Sequence, residues 1–391
     1  MREIGSDDAG LSDSGGERLR IAQLAPLHES VPPKLYGGTE RVVAYLAEEL
    51  ARRGHQVTLF ASGDSTASVP LKPIWPVSLR LAGLSRYGHQ YHLMMLNEVY
   101  RHAEDFDLIH SHLDFWNFPL ARLVSTPTLA TMHGRLDDTD LLPIWQSFHD
   151  IPMVSISDHQ RLPLPAMNWI RTVYHGLPRN LLRYSSKAGK YLAYLGRISP
   201  EKGPDVAIEV ARRAGIPLKI AAKVDENDRE YFETRIKPLL SLPGVEYVGE
   251  ITEKEKSEFL GNALALLFPV DWPEPFGLAM IEALACGTPV IARPCGSVPE
   301  VMRDGVTGLL AADIEHLVAA VGRVGQISRE TCRTDFEARF TVEMMATNYE
   351  RAYRQVLAKA RSRAYPGRLR LELQANGDSH LREGHVGAGS L

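Results

Sequence analysis

Cysteine is scarce in this 391-residue sequence, and its three copies follow no recognisable spacing. Cys286, Cys295 and Cys332 match none of the zinc-binding patterns, which place cysteines and histidines in closely spaced pairs. Three thiols cannot all pair with one another, and unpaired thiols are typical of a reducing compartment. We therefore predict structural thiols, no metal site and a cytoplasmic location.

Strong net charge and long apolar segments are also missing. The 44 basic and 48 acidic residues leave a formal charge of -4, which gives no support for a nucleic-acid partner. The opening segment MREIGSDDAGLSDSGGERLR has no apolar core, so it predicts neither a secretory signal nor a transmembrane segment. A peripheral contact with a membrane stays open, and no internal repeat is evident.

The composition that remains is that of ordinary globular domains, with 44% apolar and 24% charged residues. A chain of this length is typical of two or more domains, each with its own core. The changes in pattern along the chain predict a disordered tail at 1–18, a first domain at 19–178, a linker at 179–190, a second domain at 191–340, a returning helix at 341–362 and a disordered tail at 363–391. The returning helix is predicted from an apolar stripe formed by Met344, Met345, Tyr349, Tyr353 and Val356.

Strand and helix patterns alternate in both predicted domains, which indicates the α/β class with doubly wound sheets. The first domain opens with a strand at Arg20–Ala25, and Gly37 and Gly38 then precede a helix at Thr39–Arg53. Two glycines at a helix N-terminus suit a phosphate, because free backbone N–H groups point at the ligand there. A tight turn without any ligand is the alternative interpretation.

The stretch Leu266–Leu310 holds the strongest pattern of the second domain. A short apolar strand, Leu264–Phe268, leads through a proline-rich loop to a helix at Gly277–Gly287 and a further strand at Val290–Ala292. Because the free N–H groups at the start of a helix attract anions, this strand–loop–helix unit predicts a binding site.

Two glutamates mark that site, Glu274 in the loop and Glu282 within the helix. Leu278, Ile281 and Ala285 form an apolar stripe, and Glu282 falls on the same face. An unpaired carboxylate in that position is costly, so we expect a polar partner for Glu282. A glutamate at the edge of the stripe that caps or pairs locally is the alternative. Together the two carboxylates suggest recognition of hydroxyls beside a phosphate, as in a sugar nucleotide.

The segment EPFGLAMIEALACGTPVIA, followed by GSVPEV and DGVTGLL, resembles the donor-binding signature of the family 4 glycosyltransferases. The resemblance implies a GT-B fold, in which two Rossmann-like domains face each other across a cleft. It also implies that a sugar is transferred from a nucleoside diphosphate with retention of anomeric configuration. In such a site Glu274 contacts hydroxyls of the donor sugar, the amides of Phe276, Gly277 and Leu278 meet sugar and phosphate, and Glu282 holds the ribose.

Other segments match motifs of the same family. The segment GRISPEKG begins at Gly196 and carries Arg197 and Lys202, two cations that the resemblance assigns to the leaving diphosphate. Glu250 and Ile251 correspond to the edge that meets the nucleotide base. Gly37 and Gly38 correspond to a loop that faces the diphosphate from the other domain.

His133 ends a predicted strand at Thr128–Met132, and residues at the carboxyl ends of parallel strands face the ligand crevice. The segment TMHG around His133 also resembles that of the family's cleft histidine, which contacts the donor sugar. A satisfied core histidine is the alternative. In the segment VYHG, His175 stands where the family usually has Asn, at the switch between domains.

Candidate acceptor residues lie in the first domain. We expect His110 and His112 to point to opposite faces of an extended strand, so that they bind no metal and one of them lines the cleft. Asp114 and Trp116 follow directly, and Arg135 lies two residues after His133. An acceptor pocket with an aromatic wall is one interpretation, and a polar strand end with a packed tryptophan is the other.

These features predict a retaining hexosyltransferase in which His133, Glu274, Arg197 and Lys202 serve catalysis. The donor is taken to be UDP-glucose, and no cofactor is expected. The Asp-x-Asp triplets at 105–107 and 138–140 are interpreted as solvated loops, so no metal ion is expected either.

The acceptor stays open among small molecules, glycans and lipids. The amino-terminal half resembles a branch that includes pterin glucosyltransferases of photosynthetic bacteria. Three other functions also remain open: a sugar phosphorylase, a sugar-nucleotide epimerase or hydrolase, and a catalytically silent protein that senses sugar nucleotides.

Overall fold

The computed structural model describes residues 17–378 of the chain. Of the two predicted tails, residues 1–16 and 379–391 lie outside the described residues. The described part folds into two parallel sheets, each covered by helices, as the alternating strand and helix patterns predict.

The first sheet has seven strands in the spatial order β3-β2-β1-β4-β5-β6-β7, all parallel. Its strands are β1 (Arg20–Leu24), β2 (Gln56–Ala61), β3 (Leu71–Pro73), β4 (Leu108–Ser111), β5 (Thr128–Thr131), β6 (Met153–Ser155) and β7 (Trp169–Thr172).

The second sheet has six parallel strands in the order β10-β9-β8-β11-β12-β13. Its strands are β8 (Leu192–Arg197), β9 (Leu218–Lys223), β10 (Val245–Gly249), β11 (Ala265–Phe268), β12 (Val290–Ala292) and β13 (Gly308–Leu310).

Helices connect these strands and cover both sheet faces. In chain order they are α1 (Gly38–Arg52), α2 (Gly88–Arg101), α3 (Phe118–Ala121), α4 (Leu142–Ser147), α5 (Pro204–Ala214), α6 (Arg229–Tyr231), α7 (Glu253–Gly261), α8 (Leu278–Ala285), α9 (Val298–Val301), α10 (Ile314–Arg323), α11 (Arg329–Arg339) and α12 (Val342–Asp378).

The central strands are buried along their whole length because helices cover both of their faces. Every residue of β4, β5, β11 and β12 is buried. In each sheet the chain starts in the middle, runs to one edge, and returns to continue on the other side. The switch lies between β1 and β4 in the first sheet and between β8 and β11 in the second. Ligands of doubly wound folds bind at these switch points, beyond the carboxyl ends of the strands.

The last helix, α12, packs back on the first domain against α1, β5 and β7. Of the five residues predicted for its apolar stripe, Met345, Tyr349, Tyr353 and Val356 are buried, but Met344 is 41% exposed. Met344 and Met345 are adjacent and cannot both face the sheet. The helix continues past residue 362 to Asp378.

Several local predictions were wrong. Three short strands, β3, β7 and β13, were not predicted because each has only three or four residues and no clear alternation. The charged segment Glu226–Leu240 has a sequence pattern that predicts one helix, but it is broken into short 3-10, α and π turns. The sequence also predicts a helix from Asp158, where the structure has a single 3-10 turn at His159–Arg161.

Among residues 17–378, none of the helices combines the length and the apolar character that crossing a bilayer requires.

Candidate functional site

A cleft of about 510 Å³ lies between the carboxyl ends of the two sheets, and both domains line it. All the residues predicted to serve catalysis or to bind the donor border this cavity. They are Gly37, Gly38, His133, Gly196, Arg197, Lys202, Glu250, Ile251, Glu274, Phe276, Gly277, Leu278 and Glu282. These residues come from loops that are far apart in the sequence. The fold brings them together where the two switch points face the same cavity.

Lys202 and Glu274 form a close ion pair at the centre of the cavity. Lys202 Nζ lies 2.5 Å from Glu274 Oε2, which also accepts a 2.8 Å hydrogen bond from Trp272 Nε1. The ammonium group is 4.4 Å from the centroid of the Trp272 ring, a cation–π contact. Lys202 follows β8 and Glu274 follows β11, and the two strands are neighbours at the switch point. Two opposite charges are thus fixed at the place where a donor's sugar and phosphate are predicted to lie.

Arg197, at the end of β8, is surrounded by carboxylates. Its guanidinium lies 2.5 Å from Glu201, 3.5 Å from Asp228 and 3.8 Å from Asp225. The side chain keeps 30% of its surface exposed, so an anionic ligand has access to it. A cation held among acidic groups stays in place without a ligand and can exchange partners when a phosphate arrives.

Glu282 has the polar partner that we expected. Lys256 of α7 donates a 2.6 Å hydrogen bond to Glu282 Oε1, and both side chains are more than nine-tenths buried. Burial lowers the pKa of Lys256, and the Glu282 carboxylate opposes this effect. Glu253 lies 3.6 Å from the same ammonium and forms an ion pair with Arg41 of the first domain. This charge cluster therefore connects the two domains at one end of the cleft.

The predicted one-sided stripe on the helix that carries Glu282 was wrong. Residues Met280 to Ala285 of α8 are all buried, and Leu278, which we placed on the stripe, is partly exposed at the cavity. The helix packs on all sides because it is enclosed by β11, β12, α7 and α11. Glu282 is therefore buried on a helix that is apolar all round, and not at the border of an apolar and a polar face.

The glycine loop of the first domain comes close to α8 of the second. Gly37 has φ of 152°, and a Cβ atom there would lie 2.8 Å from Pro33. A Cβ atom on Gly38 would touch Leu278 Cδ1 at 3.3 Å. Gly37 needs glycine for both space and backbone conformation, whereas a Cβ atom on Gly38 would require the end of the Leu278 side chain to shift slightly. The helix that follows begins with its free N–H groups at the cavity.

Glu40 lies in the first turn of α1, also against the cavity. Burial raises the pKa of its carboxyl group to about 7, with a contribution from the Glu29 carboxylate, while backbone hydrogen bonds and Lys223 act in the opposite direction. The Glu40 carboxyl group is therefore readily protonated near neutral pH.

His133 borders the cavity and is stacked on His175, with ring centroids 5.2 Å apart and planes inclined by 16°. The edge of the His175 ring meets Phe276 at 4.8 Å. Burial lowers the pKa of His133 to about 3, so its ring is neutral at physiological pH. His175 therefore supports His133 by packing, although we predicted it only as a turn residue.

We expected His110 and His112 to point to opposite faces of a strand, with one of them lining the cleft, and this was wrong. Residues two apart in a strand share a face, and the two ring centroids lie 4.1 Å apart. Both side chains are almost completely buried, His110 at 0% and His112 at 2% exposure, and neither borders the cavity. Their ring nitrogens are occupied by hydrogen bonds within the first domain and to α12.

The remaining acceptor candidates lie beside the cavity and do not border it. Asp114 accepts a hydrogen bond from the backbone N–H of His133, and burial raises the pKa of its carboxyl group to about 6. The Trp116 ring packs against His89 at 4.2 Å between centroids, as in the alternative of a packed tryptophan. The exposed Arg135 pairs with Asp137 at 2.6 Å, and its guanidinium lies 5.5 Å from the Trp272 ring.

Several cavity residues were not predicted. They are Lys223, Lys256 and Trp272, together with His175 and Glu40. Lys256 carries no local signal, since a lysine on a charged helix is normally solvated. Lys223 lies 5.0 Å from the ring of Tyr36 across the cleft, a contact between domains that only the fold reveals. For His175, the replacement of the family's usual Asn was the only feature of the sequence that could have indicated a role in the cavity.

The part of the chain from residue 17 to residue 378 contains no group of three or more His, Cys, Asp or Glu side chains arranged to hold a metal ion. In the Asp-x-Asp triplets, Asp107 pairs with Arg20 at 2.8 Å, and Asp138 caps a short turn by accepting from the Asp140 N–H. The three described cysteines are unpaired.

Two family profiles match consecutive parts of the chain. The profile described as Glycosyltransferase Family 4 matches residues 36–197, and the one described as Glycosyl transferases group 1 matches residues 184–330. Between them they span the cavity residues from Tyr36 to Glu282. The chain belongs to the family 4 glycosyltransferases.

Individual relatives of this glycosyltransferase are distant but match most of its length. The D-inositol 3-phosphate glycosyltransferase of Mycolicibacterium smegmatis is 24% identical over 381 residues, covering 81% of this chain and 86% of that protein. The sucrose-phosphate synthase of Thermosynechococcus elongatus superposes with a TM-score of 0.71 at 20% identity, over 88% of this chain and 100% of that one. The Anabaena protein HepE in complex with UDP-glucose gives 0.66 at 17% identity, over 88% and 100%.

At these identities the structural likeness establishes the fold, which is GT-B, as the resemblance implied. The glycosyltransferase thus has two Rossmann-like domains with its cleft between them. The roles of the individual cleft residues stay predictions.

Proposed function

We propose that this glycosyltransferase moves a hexose from a nucleoside diphosphate sugar, UDP-glucose above all, to an acceptor hydroxyl with retention of anomeric configuration. The observation that carries the proposal is the Lys202–Glu274 pair, 2.5 Å apart, which lines the same cavity as the glycine loop. A sugar diphosphate is the kind of ligand that needs a cation for phosphate and a carboxylate for hydroxyls side by side.

The diphosphate is proposed to lie between Arg197, Lys202 and the N-termini of α1 and α8. Each of the two cations is paired with carboxylates in the absence of ligand. Phosphate oxygens would replace these carboxylates, while backbone N–H groups at the two helix starts contribute further donors. Charge that builds on the leaving phosphate is then stabilised by groups already in place.

The nucleoside is proposed to extend along the second domain. Glu282, oriented by Lys256, would accept hydrogen bonds from the ribose hydroxyls, and Glu250 and Ile251 would border the base. A uridine nucleotide is preferred because a structural neighbour was solved with UDP-glucose. Another neighbour, starch synthase IV from Arabidopsis thaliana, was solved with ADP, so adenosine nucleotides are the first alternative to test.

The proposed reaction is a front-face displacement. The bond between the sugar's anomeric carbon and the phosphate oxygen breaks, the acceptor oxygen bonds to the same face of that carbon, and the acceptor's proton passes to the leaving phosphate. His133 takes no proton in this scheme, since its low pKa makes it a poor base. No metal ion is included, because Arg197 and Lys202 supply the positive charge, and the reaction is placed in the cytoplasm.

The acceptor is proposed to approach from the first domain, past Arg135 and Trp272. Relatives named for D-inositol 3-phosphate make a small phosphorylated polyol the first acceptor to try. The cation–π contact between Arg135 and Trp272 lies at the entrance and would place a positive charge near such a phosphate.

The experiment is calorimetric titration of UDP, GDP and ADP, with a metal chelator present, into the wild type, Lys202→Ala and the control Lys237→Ala. Lys237 is an exposed helix lysine paired only with Glu233. We expect one nucleotide to bind, with about 10- to 100-fold weaker affinity in Lys202→Ala and no change in the control, since charged hydrogen bonds contribute about 1.5–3 kcal/mol. Absence of binding by all three nucleotides would contradict the proposal.

Turnover distinguishes the remaining functions. Cleavage that requires inorganic phosphate would indicate a phosphorylase, and consumption of donor without any acceptor would indicate an epimerase or hydrolase. Nucleotide binding without turnover would indicate a sensor. Once an acceptor is found, the anomeric configuration of the product can be read by NMR, and an inverted product would exclude the front-face scheme.

A further inference from the structure

A continuous chain of buried hydrogen bonds runs from His133 in the cleft to the last helix. His133 Nε2 lies 2.8 Å from His112 Nδ1, and His112 Nε2 lies 2.9 Å from Gln23 Oε1. Gln23 Nε2 donates to Tyr353 Oη at 3.3 Å, and Tyr353 Oη lies 2.8 Å from His110 Nδ1. Beyond these, His110 Nε2 bonds to Thr131 Oγ1 at 2.8 Å, and Thr131 to Tyr349 Oη at 3.1 Å.

The chain is shielded from water. Gln23, His110, Thr131, Tyr349 and Tyr353 have no exposed surface, and His112 has 2%. The residues come from the ends of β1, β4 and β5 and from α12, so the chain crosses the switch point of the first sheet. Burial lowers the pKa of His110 and His112 well below the ordinary value. All the imidazoles are therefore neutral, and each has one N–H donor and one acceptor nitrogen.

Once the Gln23 amide nitrogen donates to Tyr353, this one-donor, one-acceptor rule sets the direction of the other bonds. Because the Gln23 amide nitrogen donates to Tyr353, its carbonyl oxygen faces His112 and accepts from His112 Nε2–H. His112 Nδ1 then has no proton and accepts from His133 Nε2–H. In the other direction, Tyr353 donates its hydroxyl proton to His110 Nδ1, and His110 Nε2–H donates to Thr131. Each group donates once toward the interior, and none is left unsatisfied.

We propose that Gln23, His112 and Tyr353 are positioning residues that hold His133 as its Nε2–H tautomer, leaving Nδ1 as the only acceptor nitrogen that His133 offers to a ligand. The ring plane is fixed as well, by stacking on His175. A ligand group that meets Nδ1 must donate a hydrogen bond, so a sugar hydroxyl is accepted and a carboxylate is repelled. This selectivity, though not the tautomer itself, rests on the proposed function, in which His133 borders the donor sugar.

The chain also connects the cleft to α12. Tyr353 belongs to the helix that packs back on the first domain, and its hydroxyl oxygen accepts from the Gln23 amide nitrogen. Without that hydroxyl the amide can turn over, because neither of its orientations would be favoured by the interior. The hydrogen bonds of His112 and then of His133 would reverse as well, because a change of donor and acceptor in one bond forces the same change in the next.

The test is nitrogen NMR of the histidine rings in the full chain with ¹⁵N-histidine, where protonated and bare ring nitrogens have well-separated shifts. Signals of His133 are assigned by their loss in His133→Gln. In the wild type we expect Nε2 protonated and Nδ1 bare between pH 6 and pH 8. A protonated Nδ1 in the wild type would overturn the inference without the need for any variant.

Tyr353→Phe and Tyr349→Phe form a matched pair, because both are buried tyrosines of the same helix and lose only a hydroxyl group. We expect the Nδ1 signal of His133 to move toward the protonated position in Tyr353→Phe, and also in Gln23→Met. In Tyr349→Phe it should stay unchanged, since Thr131 at the end of the chain can rotate its hydroxyl. An unchanged signal in both Tyr353→Phe and Gln23→Met would show that these residues do not set the tautomer.

An activity measurement separates this inference from the proposed function. We expect UDP-glucose to be used and UDP-glucuronate, which carries a carboxylate, to be rejected by the wild type, with KM for the donor rising more than kcat falls in Tyr353→Phe. If no nucleotide sugar is turned over but the NMR result holds, the proposed function fails and the tautomer assignment stands. If turnover occurs and His133 Nδ1 is protonated, the assignment fails alone.

Discussion

Glu274 and Lys202 share a hydrogen bond of 2.5 Å in a part of the cleft where both are mostly buried, with side chains 8% and 17% exposed. Each neutralises the other, and Trp272 Nε1 donates to the same carboxylate oxygen that Lys202 contacts. A donor whose phosphate takes Lys202 would leave Glu274 free to accept from sugar hydroxyls. The ion pair thus holds in place both the cation proposed to bind phosphate and the carboxylate proposed to bind sugar hydroxyls.

Substituting Glu274→Gln tests this exchange. The amide keeps the shape and can still accept from Trp272, but it no longer competes with phosphate for Lys202. We expect the affinity for the nucleoside diphosphate to be unchanged or a few-fold tighter, while the rate of transfer falls about 10- to 100-fold through the loss of charged hydrogen bonds. Calorimetry and initial rates measure the two effects. Weaker binding of the nucleotide would show that Glu274 supports the phosphate site instead.

Gly296 is expected to be irreplaceable because the Glu274 loop lies against it. Its φ is 63°, and a Cβ atom there would lie 2.2 Å from the backbone nitrogen of Glu274. Gly305 is the matched control, with φ of 72° and nothing within 4 Å of a Cβ atom. Gly305→Ala should cost only the conformational strain of about 1–2 kcal/mol.

Gly296→Ala should lower stability more than Gly305→Ala and should also abolish activity by displacing Glu274. Thermal denaturation and initial rates of both variants provide the comparison. Equal losses of stability, with activity retained in both, would mean that the Glu274 loop adjusts freely.

Glu300 of the second domain connects the two domains through contacts with the first. Its carboxylate accepts from the backbone N–H groups of Asp158 at 2.8 Å and His159 at 2.6 Å, and from Tyr174 Oη at 3.1 Å. Glu300→Gln removes at least one of these acceptors. We expect amide exchange of the peptide containing Asp158 and His159 to become about 10- to 100-fold faster, since each charged hydrogen bond contributes about 1.5–3 kcal/mol.

The control for this variant is Glu315→Gln, which removes a surface pair with Arg213 in which the glutamate side chain is 71% exposed. Exposed pairs contribute little, so exchange at residues 158 and 159 should not change there. Equal exchange rates in the wild type and Glu300→Gln would show that this contact between the domains is not maintained in solution.

Glu40 predicts a specific dependence of stability on pH. Its pKa of about 7 in the fold lies above the ordinary 4.5, so the folded state favours the protonated carboxyl. This contribution is fully present below about pH 4.5 and is lost as the pH rises through 7, by an amount on the order of 3 kcal/mol. Because Glu40→Gln stays neutral, its melting temperature should exceed that of the wild type at pH 8 and match it at pH 5.

Glu48→Gln, on the same helix, is the control for Glu40, since its carboxylate accepts from the Ser68 N–H at the surface. Melting curves between pH 5 and pH 8 for the three proteins are sufficient. Parallel profiles for Glu40→Gln and the wild type would indicate that Glu40 is solvated and ionised in the folded protein.

The cavity residues of the second domain were predictable because they lie in short segments with strong local patterns. The loop and helix from Glu274 to Glu282, and the turn from Gly196 to Lys202, each combine a strand end, a glycine and charges within a few residues. Partners across the cleft were not predictable. The need for a partner of Glu282 followed from its burial, but nothing local distinguishes Lys256 from Lys254, the other lysine of α7.

The histidines illustrate the opposite case. The segment His110-Ser111-His112 was predicted to contribute a histidine to the cleft. Both histidine rings are instead buried and form hydrogen bonds with Gln23, Thr131 and Tyr353. The hydrogen-bond partners of these two histidines, including His133, lie 21 to 243 residues away in the sequence. A strand pattern gives the face on which a side chain lies, but not whether another element covers that face.

The sequence by itself determined the α/β class, the alternation of most strands and helices, and the identity of the residues at the strand ends, because these depend on interactions between near neighbours. The tertiary structure alone decided which charges pair and which strand ends meet. It also decided that α12 covers His110 and orders the chain of hydrogen bonds to His133. These outcomes depend on how two sheets pack and face each other, and such long-range geometry leaves no periodic trace in the order of the amino acids.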